Sequence, residues 1–352
     1  MKKNLATYIL YLLLPVLVAG CLYEHPELTE DGEIGVDPTS VTLKANLTLK
    51  LNMPAAEENG STLQRPEAGD APLYRHRFII DAYLDRVFIA RQVVYQDISD
   101  GRTELEVPLS MKLHARNYEI AVWTDYVQVP NEEKEITGTE EYFYNATDNH
   151  LLTVLNSTSY RGNNEYKDAF CGTARLNLEE YRDEWNAQLS IDMELKRPIA
   201  RYTLVANDAA KFLKLVDTGK LPGKAFTARV KYLSYLNCGY NVLQRLPRHG
   251  LMYMKYEKSI PFTDLRDKKT LPLSFDYVFA ADDAVTRIPI TLEIANSNKE
   301  IVASTSFNVT VEAGKHTTVT YGFLTADPNG GIDFDPDFDG QEDIVVPVYP
   351  TE

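Results

Sequence analysis

Period-two alternation constrains this chain more than any other feature of its sequence. In Val41-Thr42-Leu43-Lys44-Ala45-Asn46-Leu47-Thr48-Leu49-Lys50-Leu51 every odd-numbered residue is apolar and every even-numbered one polar. Successive side chains of a strand point to opposite faces, so this pattern specifies a strand with one buried and one wet face. The same reading gives strands over residues 77–84 and 87–95, turning at Asp85-Arg86, and over 117–127, with Ile120, Val122 and Trp123 toward a core. Residues 105–109 read as a short edge strand, because Pro108 has no N–H to donate to a ladder. Strand character resumes at 169–178. Residues 189–195 alternate cleanly and lead through Lys196-Arg197-Pro198 into 199–205, and further strands are expected at 225–236, 285–295, 301–311 and 315–324. One helix interrupts them over 209–216, with Asn207 or Asp208 as N-cap and Gly219 at its end. Many short strands with a single helix imply a mainly β chain built of β-sandwiches, not βαβ units.

At 352 residues the chain exceeds the size at which one hydrophobic core keeps growing, so two domains are expected. The boundary is placed near residue 187, giving an N-terminal sandwich over 41–187 and a C-terminal sandwich over 188–326 that holds the helix. Residues 327–352 form an acidic tail. Its apolar end, Ile344-Val345-Val346-Pro347-Val348-Tyr349, is suited to adding a strand to a sheet edge, its own or a neighbour's.

The N-terminus is read separately. Lys2 and Lys3 precede a nearly unbroken apolar run from 5 to 18, too short to span a bilayer but shaped like the apolar region of a signal peptide. It ends in Val18-Ala19-Gly20-Cys21, where small residues admit a lipoprotein signal peptidase and the Cys21 thiol takes the lipid. Residues 1–20 are thus expected to be removed, leaving a chain held at the outer membrane by acylated Cys21, its one membrane attachment. Residues 21–40 are polar and acidic with two prolines, Pro26 and Pro38, a composition that buries no core and serves as a tether.

Lys and Arg number 36 against 51 Asp and Glu, a net charge of −15, which argues against nucleic acid and against anionic membrane surfaces as partners. Cys171 and Cys238 remain once Cys21 is used; they are read as two buried apolar side chains, with a disulfide as the alternative. The six histidines are scattered, and no HExxH, GxSxG or phosphate-loop pattern is present. No cofactor and no catalytic group is therefore expected. The one dense cluster is Asp335, Asp337 and Asp339 followed by Gly340, which matches the first half of a calcium-binding loop. Its twelfth position is Val346 in place of the bidentate Glu, so the cluster is either a weak Ca²⁺ site or a solvated connector.

Two segments carry a resemblance to a known family. Asn117-Tyr118-Glu119-Ile120-Ala121-Val122-Trp123-Thr124 resembles the central first-domain strand, and Met193-Glu194-Leu195-Lys196-Arg197-Pro198-Ile199-Ala200-Arg201 the entry to the second domain, of the fimbrillin-like proteins of type V pili. The resemblance spans about residues 41 to 325. It implies two tandem transthyretin-like β-sandwiches behind a lipid anchor and partners that are other fimbrial subunits. In that family shaft subunits are cut after an arginine in the first domain, which frees a groove for a neighbour's strand. Arg65 lies in a suitable loop, but Pro66 follows it and impedes cleavage, which tilts the reading from shaft toward anchor or accessory subunit. The alternative function is a glycan-binding surface lipoprotein, with Tyr142, Tyr144, Tyr160, Tyr253 and Tyr256 as candidate stacking platforms.

Overall fold

The computed structural model describes residues 42–52, 74–97, 104–137, 142–147, 149–183, 186–223, 225–260, 269–282, 284–328 and 344–347. The first part contains β1 (Thr42–Asn52), β2 (Tyr74–Leu84), β3 (Val87–Asp97), β4 (Glu104–His114), β5 (Asn117–Gln128), β6 (Tyr144–Asn145), β7 (Val154–Asn156), β8 (Phe170–Asn177) and β9 (Gln188–Glu194). The second contains β10 (Ile199–Ala206), the helix α1 (Ala209–Asp217), β11 (Phe226–Tyr232), β12 (Leu236–Asn241), β13 (Leu246–Leu251), β14 (Lys255–Ile260), β15 (Leu271–Phe279), β16 (Thr286–Asn296), β17 (Ile301–Val311), β18 (Lys315–Tyr321) and β19 (Ile344–Pro347).

These strands form two sandwiches. In the first, the sheet β4-β1-β9 faces the sheet β3-β2-β5-β8 across a core that includes Leu47, Leu49, Phe78, Ile80, Val107, Ile120 and Val122. In the second, β15-β10-β18-β19 faces β14-β11-β16-β17 across Tyr202, Leu204, Phe226, Val230, Ile290, Leu292 and Phe307. The helix covers one end of that core with Phe212 and Leu213. The fold is mainly β with β-sandwich layering, as the alternation implies.

The details follow local chemistry. Asp85 and Arg86 both have positive φ, 49° and 68°, the left-handed pair that a two-residue hairpin turn needs to match strand twist. β4 runs for 11 residues, longer than expected, because Pro108 lies on the outer strand of its sheet, where its missing N–H breaks no ladder with β1. The edge it leaves is covered by side chains: Ser110 N–H donates to Gln92 Oε1 at 2.9 Å, and Gln96 Nε2 donates to the Glu106 carbonyl at 3.0 Å. On the opposite side of the sandwich Cys171 and Lys196 exchange both backbone hydrogen bonds at 2.9 Å. Gly172 permits that approach, since a Cβ there would lie 2.8 Å from the Glu194 carbonyl oxygen.

One expectation is corrected. The boundary near 187 assigns residues 189–195 to the C-terminal sandwich, but β9 pairs in parallel with β1, Leu49 opposite Ile191, and buries Met193 in the first core. The passage to the second sandwich comes after it, at Lys196-Arg197-Pro198. In the segment between the expected strands 117–127 and 169–178, β6 and β7 join β12 and β13 in a fifth, four-stranded sheet.

That sheet belongs to a third core. Ile79, Tyr83, Ala121 and Trp123 leave the first sandwich on the outer face of β2 and β5 and pack with Tyr144, Leu151, Ile199, Tyr240, Tyr277 and Phe279. β2 and β5 are thus apolar on both faces, which is why their central residues read as continuous apolar runs.

Candidate functional site

The arrangement with most functional content is the slot that holds β1. This strand is the middle of its sheet, antiparallel to β4 with Leu47 opposite Leu109, and parallel to β9. Ala45, Leu47, Leu49 and Leu51 face inward and are buried, as alternation requires. Its wet face is tied by Asn46, whose Nδ2 donates to Asn186 Oδ1 at 2.7 Å and whose backbone N–H donates to the Ala187 carbonyl at 2.9 Å. Burial of three leucines and an alanine stabilises the strand by on the order of 5 kcal/mol. Without β1, strands β4 and β9 would expose two facing rows of backbone groups over Val107, Leu109, Met111 and Met193, a groove shaped for one extended strand. In the second sandwich β19 lies at a sheet edge, antiparallel to β18, with Thr317 opposite Val345.

A set of buried ion pairs ties the segment before β8 to β10 and β15. Lys167 Nζ stands 2.7 Å from Asp276 Oδ1 and 2.9 Å from the Tyr160 hydroxyl. The other carboxylate oxygen accepts from Tyr160 at 2.6 Å and Tyr232 at 2.5 Å, and the Tyr277 backbone N–H completes Oδ1 at 2.8 Å. Burial pushes the Lys167 ammonium below its ordinary range against the pull of Asp276, and burial with the Asp276 charge holds the Tyr232 hydroxyl far above its own. Beside them Arg197 grips Asp168 and Arg201 grips Glu165, each through two nitrogens. Lys167, Asp168 and Glu165 come from the strap that precedes β8, whereas Asp276, Arg197 and Arg201 come from β15 and from the entry to β10. Arg77–Asp125, from β2 to β5, and Arg91–Asp81, from β3 to β2, repeat the arrangement, each at 2.6 Å. None of this was read from the sequence. Its signal was there, in single acids set inside apolar strands: Asp81 in FIIDAYL, Asp125 in VWTDYV and Asp276 in LSFDYVF.

Burial governs the two cysteines and His76. Cys171 and Cys238 are free and buried, as two apolar side chains would be; burial raises both thiols, Cys171 to about 12. His76 is buried between Phe78 and Tyr126, and burial lowers it to about 4 although Asp125 pulls the other way. His316 meets Thr203 Oγ1 at 2.7 Å. Among the described residues no group of three or more His, Cys, Asp and Glu is placed to hold a metal ion. Cys21, Arg65, Asp335, Asp337 and Asp339 lie outside the described residues. Of the tyrosines considered as sugar platforms, Tyr144 and Tyr256 are buried, Tyr142 and Tyr160 half-buried, and Tyr253 exposed.

A sequence family described as a family of unknown function (DUF6562) matches residues 38–348, from just before β1 to just after β19. The chain belongs to this family. No curated protein matches it. Among solved structures, the fimbrial anchor protein Mfa2 from Porphyromonas gingivalis is 12% identical, with 79% of this chain and 90% of that one covered at a TM-score of 0.37. A fimbrial assembly protein from Parabacteroides distasonis is 10% identical, with 79% and 91% covered at a TM-score of 0.37.

Proposed function

We propose that this DUF6562 member is a non-enzymatic, lipid-anchored surface protein, an anchor or accessory subunit of a type V-like fimbria that works through β-strand contacts. The observation that carries the reading is the position of β1. A strand that sits in the middle of its sheet, between β4 and β9, is the piece that completes the first sandwich. A strand at that place serves either as a permanent plug, in a subunit that ends or anchors a polymer, or as a removable one. Pro66 after Arg65 favours the plug. Acylated Cys21 with the 21–40 tether supplies attachment at the outer membrane, and β19, at a sheet edge on an acidic arm, is the segment best placed to reach a neighbouring subunit.

The test is to isolate surface material from the native cell and ask whether the chain migrates in an SDS-resistant ladder with other subunits. Deletion of residues 341–352 is expected to weaken that ladder. A chain found only as a monomer, with no fibre co-purifying, overturns the reading.

A further inference from the structure

Net charge argues against an anionic membrane partner, but the charge is not evenly spread. We infer that the end of the β12–β13 hairpin and the turn after it dock the folded body onto an anionic lipid bilayer. This inference is independent of the fimbrial reading.

Large apolar side chains gather there in the open. Tyr253 is 80% and Tyr235 72% exposed, and Leu233, Leu251 and Met252 are exposed with them. They share one end of the hairpin. Leu236 pairs with Leu251 across the ladder, and a Cβ on Gly250 would lie 3.2 Å from the Tyr235 side chain. The backbone is bent to present them: Tyr253 has φ 63°, a conformation that a bulky residue rarely adopts, and the next residue, Met254, returns to the core.

Basic side chains flank this cluster. Arg248, His249, Lys255 and Lys258 are exposed on β13 and β14. The one acid among residues 244–260, Glu257, is occupied by Arg229 at 2.6 Å. In a chain of net charge −15, a rim where basic groups outnumber acidic ones favours approach to an anionic surface by this end of the hairpin.

Tyr, Leu and Met beside Arg and Lys are the mixture that settles at the boundary between headgroups and acyl chains. The geometry argues against a protein partner that adds a strand. β13 is the outer strand of its sheet, but Pro247 offers no N–H and charged residues follow it, the features that block edge pairing. The apolar groups stand out from the rim, so they enter a deformable phase more readily than they fill a recess.

The test uses the full chain carrying Cys21→Ser, so that no acyl group contributes, in sedimentation with vesicles of phosphatidylglycerol and phosphatidylcholine or of phosphatidylcholine alone. Binding is expected to the anionic vesicles and to weaken with salt. Arg248→Gln with Lys255→Gln, and separately Leu251→Ser with Tyr253→Ser, should each lower binding about tenfold. Val87→Ser, an exposed apolar position elsewhere, should leave it unchanged. No sedimentation with anionic vesicles, or sedimentation indifferent to both pairs of substitutions, overturns the inference. Equal affinity for soluble polyglutamate, without the loss in the Leu251/Tyr253 variant, overturns it in favour of an acidic protein partner.

Discussion

Lys167 and Asp276 form an ion pair at 2.7 Å with side chains 2% and 0% exposed, and they join two parts of the chain 109 residues apart. Lys167 comes from the strap ahead of β8, Asp276 from the second sandwich. Every oxygen of the carboxylate has two donors, which is the condition under which a buried pair is tolerated. Removing one partner strands the other. Lys167→Met is expected to destabilise the protein by about 3–5 kcal/mol in urea unfolding, whereas Lys167→Met with Asp276→Leu should recover much of that loss. Equal loss in the single and double variants would show that the pair itself contributes net stability.

His76 makes stability depend on pH. The unfolded chain takes up a proton near pH 6.5, while burial keeps the folded histidine neutral down to about pH 4. Between those values the unfolded state binds more protons, so stability falls as pH drops through that window. The contribution lost is on the order of 3 kcal/mol. His76→Phe, which keeps the stacking against Phe78 and Tyr126, should flatten this part of the profile relative to the parent chain in thermal unfolding from pH 7 to pH 4.

Leu49 tests the slot. Its side chain is fully buried between the two sheets of the first sandwich, opposite Val107 and Ile191. Leu49→Ala should cost about 2–5 kcal/mol, and Leu49→Asp should release β1 altogether. Proteolysis within residues 42–52 would report that release, and protection equal to the parent chain would contradict it.

Strand β1 and the helix were legible because each carries a one-sided pattern: β1 alternates over its whole length, and α1 begins after Asp208 and ends at Asp217, two residues before Gly219 at φ 71°. Even there the cap differs. Asp208 turns its carboxylate away from its own helix to accept from Thr325 N–H and Oγ1, both at 2.8 Å. The region 236–279 was not legible. β12 is buried on both faces, β13 is exposed on nearly all of its length, and Gly239, Pro247 and Gly250 break any period. Trp123 reads as core, but which core depends on Tyr144 and Phe279 arriving from elsewhere. β9 alternates equally well in either sandwich; only the parallel partner β1 assigns it. Alternation specifies a face and leaves the partner open.

Lys44 stands opposite Lys112 on the wet face of β1 and β4, two exposed like charges that contribute little to stability. Facing residues of an antiparallel pair are within reach of a disulfide, so Lys44→Cys with Lys112→Cys should lock β1 into its slot on oxidation. A plugged anchor or accessory subunit never gives up this strand. Cells carrying the locked chain should therefore show the same SDS-resistant ladder with or without reductant. If the ladder is lost when the bond is formed and restored on reduction, β1 must leave its slot during assembly. The chain would then work as a shaft subunit, and Pro66 would be no barrier to the cleavage that frees it.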